Sequence, residues 1–159
     1  MYGVVNKQHI FDSVDAVCTS LGNGKHNAAH KLVLGTIATE TNFSEYKDPT
    51  PFRAGSGLCQ FDFVGYQEVI VRTKERHKKK ILNDFDIVIN KVTYEMLEYN
   101  PLLSIIFCRL FYKLIPDEIR DDLYSMSHYW KKYYNTIAGK GTQEKFVSKY
   151  NHYVKGSVE

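Results

Sequence analysis

Strand-length alternation of apolar and polar residues is nearly absent from this 159-residue chain, which argues against a β-rich architecture. Cysteine is scarce as well. The three thiols, Cys18, Cys59 and Cys108, are odd in number and far apart, so a disulfide framework is not expected. No CxxC and no Cys/His pair has zinc spacing, so no metal is expected. Buried thiols in a reducing cytoplasm are the expectation instead. No apolar run is long enough to cross a bilayer: the oiliest stretch, "PLLSIIFCRLF", is short and is interrupted by Arg109. A basic segment followed by an apolar one, as in a signal peptide, is missing from "MYGVVNKQHIFDS". These absences predict a soluble protein without membrane insertion, made in the cytoplasm. The net charge of +3 is too mild to imply nucleic acid as a partner. Neither repeats nor low-complexity segments occur.

What is present reads as helices, in one domain spanning residues 1–159. Asn6 is placed to cap a helix with Ile10, Val14, Val17, Cys18 and Leu21 on its inner face, ended by "GNG" at 22–24. Asn27 is placed to cap a second. Residues 49–65 hold two prolines and three glycines without a sustained period, and are predicted to form a long loop with a short alternation near Phe61. A third helix is predicted from about Asp84, with Phe85, Val88, Ile89, Val92, Met96 and Tyr99 on one face. Pro101 then opens a fourth, apolar on most sides and expected to be the central buried helix. Asp117 is placed to cap a helix bearing Ile119, Leu123, Met126, Trp130 and Tyr133. A last helix sets Phe146, Val147, Tyr150 and Tyr153 inward. The fold class is all-α, with a Gly/Pro-rich loop and room for a small hairpin.

The second helix carries an anomaly. Ala29, Leu32, Val33, Thr36 and Ile37 form one apolar stripe, and the next position on it is Glu40. A carboxyl withdrawn from water has its charged form penalised, so its pKa rises. Such a group can hold a proton near neutral pH and deliver it, as a general acid must. The competing reading is a solvated Glu at a frayed helix end.

Glu40-Thr41-Asn42-Phe43 is followed by "AGSGLCQ", with Gln60 twenty residues after Glu40, and later by Tyr134-Asn135 and Gly139-Lys140-Gly141. Together these resemble the soluble lytic transglycosylase and goose-type lysozyme superfamily, whose catalytic Glu ends a helix before a "GAxGLMQ"-like segment and a late "AYNAGxG"-like stretch. "LVLGTIATE" and "YWKKYYNTIAGKGT" are similar to small phage proteins of this kind. The likeness covers roughly residues 8–153. Thr41 stands where Ser is usual, Ala54-Gly55 inverts the usual pair, Cys59 replaces Met, and two extra residues separate Asn135 from Gly139.

The resemblance implies a lysozyme-like domain that cleaves the bond between N-acetylmuramic acid and N-acetylglucosamine in peptidoglycan glycan strands, without a cofactor. It implies Glu40 as general acid and base, with Gly57, Leu58, Gln60, Tyr134 and Asn135 binding substrate. A hydrolase would add a second carboxylate, for which Glu45, Asp48 and Asp62 are the candidates; a transglycosylase needs none. The alternative is a non-catalytic structural virion protein that retains the scaffold. Other virion proteins are then candidate partners, and delivery in a particle or release to the periplasm and cell wall is the expected route.

Three further features lie outside these motifs. Residues 72–80, "RTKERHKKK", carry six Lys or Arg and fit an anionic wall polymer, nucleic-acid phosphate or a solvated face. Tyr133 reads as core by its spacing from Trp130, and Tyr134, one position off the stripe, as the residue facing the cleft. His26 and His30 share an i, i+4 spacing but lack a third ligand, and read as surface or cap residues.

Overall fold

The computed structural model describes residues 2–49 and 55–157; Pro51 and Ala54 of the predicted loop and motif lie outside them. Its α-helices are α1 (Lys7–Leu21), α2 (Ala29–Thr41), α3 (Phe63–Arg72), α4 (Glu75–Phe85), α5 (Pro101–Leu114), α6 (Leu123–Tyr129) and α7 (Gln143–Tyr153). A π-helix, Trp130–Asn135, continues α6. Among the described residues no strand forms, and one antiparallel bridge joins Ser56 to Phe61. The all-α expectation holds, and the hairpin reduces to that single bridged turn.

Helix α5 is the hub. Pro101 sits in its first turn, where a missing N–H is harmless, and the Asn100 side chain accepts from Leu103 N. Most of its residues are buried, and α1, α2 and α3 all pack on it. Arg109, buried at 3% exposure, does not break this helix. Its Nε and Nη2 donate to the Gly22 carbonyl at 3.0 and 2.8 Å, and Lys113 Nζ donates to the Leu21 carbonyl at 2.8 Å. Two cations of α5 thus satisfy carbonyls left over at the C-terminal end of α1.

α1 matches its predicted cap and inner face residue for residue: Asn6 accepts from His9 N, and Ile10, Val14, Val17, Cys18 and Leu21 are all buried. α2 is capped differently from expectation. Asn23, not Asn27, accepts from His30 N at 2.7 Å. Asn27 adopts a left-handed φ of 55° and holds Asn23 through a side-chain bond of 2.6 Å.

Three predicted elements are corrected. Residues 84–99 do not form one helix, because α4 ends in a left-handed Asp86 and only the short 3-10 turns Ile89–Lys91 and Tyr94–Leu97 follow. Val92 is extended, its carbonyl taken by the Tyr66 hydroxyl at 2.7 Å, so its backbone serves tertiary contacts. The apolar period is real but splits: Ile89, Val92 and Leu97 are buried, while Val88, Met96 and Tyr99 are exposed. Next, the loop over 49–65 stops early, since the Asp62 carboxylate accepts from Gly65 N at 2.6 Å and starts α3. Finally, Asp122, not Asp117, caps α6 by accepting from Ser125 N at 2.7 Å. The Asp117 carboxylate instead takes the Tyr133 hydroxyl.

Helix α7 closes the fold against α2. Gly35 makes the approach possible: a Cβ there would lie 2.3 Å from the Phe146 ring. Phe146 is fully buried and tilts against Trp130 with ring centroids 5.5 Å apart. Burying such a ring stabilises by about 1.5 to 3 kcal/mol. It also brings Trp130 and Lys145 to the end of α2, where Glu40 sits.

Candidate functional site

Glu40 lies one residue before the end of α2, half-buried at the surface with densely packed surroundings. Burial pushes its pKa up from the usual carboxylate range to about 7, with only partial relief from the Lys145 charge and the Trp130 indole. Trp130 Nε1 is buried and forms no regular hydrogen bond with any described residue, although it is near enough to act on the Glu40 carboxyl. Aromatic rings supply the dry surroundings. Tyr112 and Tyr134 lie 5.5 Å apart between centroids, with Phe111 at 5.8 Å and Phe61 at 6.1 Å from Tyr134. Burial raises both tyrosine pKa values, and the Glu40 charge adds to the rise. The stripe therefore continued through Glu40 to a half-buried, poorly solvated location.

Glu40 opens onto a cleft of about 520 Å³ that Gln60, Tyr134 and Asn135 also line. Ninety-five residues of chain separate Glu40 from Asn135, and folding brings them to one concavity.

The segment 56–60 is pinned by hydrogen bonds on every side. Gly57 N donates to the buried Glu98 carboxylate at 2.9 Å, and Ser56 Oγ reaches the same oxygen at 3.3 Å. Thr41 Oγ1 donates to the Leu58 carbonyl at 2.8 Å, so the hydroxyl next to Glu40 ties the end of α2 to this loop. Either Ser or Thr supplies that hydroxyl. Cys59 N donates to Ser104 Oγ at 3.1 Å, and the Cys59 carbonyl accepts from Tyr134 at 2.6 Å. The other Glu98 oxygen, Oε1, is buried without a partner among the described residues. Gly57 has φ +74°, and a Cβ there would stand 2.0 Å from the Leu97 carbonyl oxygen, so glycine is required.

Gln60, at φ 47°, donates through Nε2 to the Gly57 carbonyl and the Tyr2 hydroxyl, at 3.0 and 3.2 Å. Its Oε1 remains as an acceptor. Asn135 is held oppositely: Lys131 Nζ donates to its Oδ1 at 2.7 Å, which leaves Nδ2 as a donor. Gly139 and Gly141 make room for it. A Cβ on Gly139 would lie 2.4 Å from Asn135 Oδ1, and one on Gly141 2.5 Å from the Trp130 ring. The "GKG" glycines thus shape the cleft around Asn135.

The other candidates divide. Gly57 and Leu58 are buried and are not among the cleft's lining residues; they shape the turn that presents Gln60. Asp48 and Asp62 line the cleft. The Asp48 amide donates to the Tyr2 hydroxyl at 2.9 Å, and one Asp62 oxygen is occupied in capping α3. Glu45 is engaged elsewhere, accepting from the Tyr153 hydroxyl at 2.9 Å and pairing with Lys7 at 3.3 Å. Those two bonds, Tyr153 first, hold its pKa below the ordinary value. Tyr134 faces the cleft, whereas Tyr133 is half-buried on the side of Asp117. His26 pairs with Glu118 at 2.7 Å, and His30 with the Asn23 side chain at 2.7 Å.

Three contributors escape a reading of the sequence. Glu98 looks like a surface acid beside Asn100, Lys131 like a solvated charge, and Trp130 like plain core. Only the fold places them behind Gly57, Asn135 and Glu40. Comparison with known protein families, with curated proteins and with solved structures finds no match.

Proposed function

We propose that this chain is a lysozyme-like, phage-type enzyme that cleaves peptidoglycan at the bond between N-acetylmuramic acid and N-acetylglucosamine, with Glu40 as general acid and then base. One observation carries the reading: a carboxyl with a pKa near 7 opens onto a glycan-sized cleft beside Gln60, Tyr134 and Asn135. A group titrating near the working pH is the effective proton donor.

The polar walls suit an acetamido group, which has one N–H to give and one carbonyl to satisfy. Gln60 Oε1 is the matching acceptor and Asn135 Nδ2 the matching donor. Glu40 gives its proton to the bridging oxygen as the C1–O bond breaks through an oxocarbenium-like transition state. The resulting carboxylate takes the proton of the sugar's own 6-hydroxyl, whose oxygen bonds to C1 and closes an anhydro ring. The commitment of Glu45 to Lys7 and Tyr153, and of one Asp62 oxygen to the start of α3, supports this one-carboxylate route. Asp48 and Asp62, which line the cleft, are the groups a hydrolase would use instead. The glycan strand is the partner, and the wall, reached from a virion or by release from the cell, is the place of action.

Glu40→Gln tests it. The variant should fold and leave sacculi intact while the native protein clears them, and mass spectrometry of the digest should show anhydro ends. Reducing ends would replace the transglycosylase route by hydrolysis with Asp48 or Asp62 as second carboxylate. Intact sacculi with both proteins would favour the non-catalytic virion scaffold.

A further inference from the structure

The basic run at 72–80 is neither a loop nor an evenly solvated face. It crosses from the end of α3 to the start of α4, and there it meets the end of α5 in a concavity of about 380 Å³. Arg72, Lys74, Arg76 and Lys113 line this pocket together with Thr73 and His77, and no carboxylate does. The nearest acids serve the flanks: Glu68 pairs with Arg72 at 2.8 Å, and Glu75 lies 3.8 Å from Lys78.

We propose that this pocket binds a phosphate group, a site separate from the glycan cleft and independent of the reading given for it. Arg72 is paired with Glu68, and Lys113 Nζ donates to the Leu21 carbonyl. Lys74 and Arg76 remain without an ion pair among the described residues, and an anion in the hollow offsets the repulsion within this cluster. Arginine and lysine together offer the forked and pointed donors that phosphate oxygens take. The Thr73 hydroxyl adds an independent indication. Thr73 is 6% exposed, lines the pocket, and its Oγ1 has no hydrogen-bond partner among the described residues. Leaving such a group buried and unpaired is unfavourable unless a ligand satisfies it. The opening amides of α4 have no side-chain cap and lie at the same place, where a helix favours negative charge.

His77 reports the local field. Its pKa is pushed down to about 4, by burial first and then by Lys113, Arg76, Lys74 and Arg109. Burial, followed by the charges of Arg109, Arg76 and Lys74, likewise lowers Lys113. An anion seated among these cations reverses the electrostatic part of that depression.

The experiment is an NMR titration of the ¹⁵N-labelled protein with inorganic phosphate at constant ionic strength, chloride serving as the control for screening. Saturable shifts should centre on residues 73–77 and Lys113, and the His77 ring should titrate at higher pH with phosphate than with chloride. Lys74→Ala with Arg76→Ala should weaken binding about tenfold or more, since charge-assisted bonds are lost. Lys79→Ala with Lys80→Ala, farther along α4, should leave it nearly unchanged. A polyglycerol phosphate chain that binds more tightly than the free ion would identify a polymer as the source; equal affinity would identify a small phosphate. The proposal is overturned if phosphate acts no differently from chloride, or if the distal pair of substitutions weakens binding as much as the pocket pair.

Discussion

The hydroxyl of Tyr134 donates to the carbonyl of Cys59 at 2.6 Å, tying the far end of the chain to the turn that carries Gln60. The bond has its donor and acceptor in two of the sequence motifs, 75 residues apart. Tyr134→Phe keeps the ring and removes the donor, stranding a carbonyl in an apolar site. A loss of about 1 to 3 kcal/mol is expected in a urea melt, with core packing retained. Wall clearing should fall alongside, because Gln60 and Asn135 lose their common reference. Unchanged stability would mean that water reaches the carbonyl.

The acid on the apolar stripe has a thermodynamic signature. Its pKa is near 4.5 when unfolded and about 7 when folded, so the native state binds the extra proton between those values. Stability from this group is therefore complete below about pH 4.5, declines as pH rises towards 7, and is lost above it. The range amounts to roughly 3 kcal/mol. His77 and His30 act oppositely: their depressed pKa values contribute stability above about 6.5 that is lost as pH falls. The difference between native protein and Glu40→Gln isolates the glutamate. Melting curves should show the variant gaining on the native protein from pH 5 to 8; a constant gap would contradict the burial.

Activity should follow the same titration. With Glu40 as proton donor, the rate of wall clearing should drop as pH climbs through about 7. Lys145→Ala removes a charge that holds the pKa down, so the descending limb should move to higher pH. A limb that stays in place would argue that another group supplies the proton.

Gly57 and Glu98 are expected to fail together. Gly57→Ala forces a side chain into a left-handed backbone costing about 1 to 2 kcal/mol, with the Leu97 carbonyl oxygen blocking its Cβ besides. Glu98→Ala strands the Gly57 amide, at about 1 to 3 kcal/mol for a buried group left unpaired, while the Ser56 hydroxyl keeps the Tyr94 carbonyl at 3.4 Å. A double-mutant cycle should show non-additive losses, because both changes release the same turn. Additive losses would separate the two contacts.

The sequence was most legible where a single helix decides the outcome. α1, with its Asn6 cap, and α5, with Pro101 and its nearly continuous apolar surface, follow from local rules alone. Glu40, Gln60, Tyr134 and Asn135 could be named because each stands in a short pattern of its own. Residues 84–99 misled because a helical period survives in them while tertiary bonds to Val92 and the left-handed Asp86 break the backbone. The start of α3 was hidden because Asp62 looks like one more polar residue in a loop and acts as its cap. Glu98 gave no signal at all. Its partners are a backbone amide and a hydroxyl more than forty residues upstream.

The π-helix at Trp130–Asn135 sets the phase of the site. Its wide turn, closed by Thr136 N to the Lys131 carbonyl, lets Trp130 look inward while Tyr134 and Asn135 meet the cleft. That turn takes in one residue more than an α turn, so removing one residue from it would restore ordinary α pitch and leave the chain beyond it in nearly the same phase. The wall that Tyr134 and Asn135 form could therefore keep its place through a single codon deletion here, where the same deletion in an ordinary helix would rotate it by about 100°.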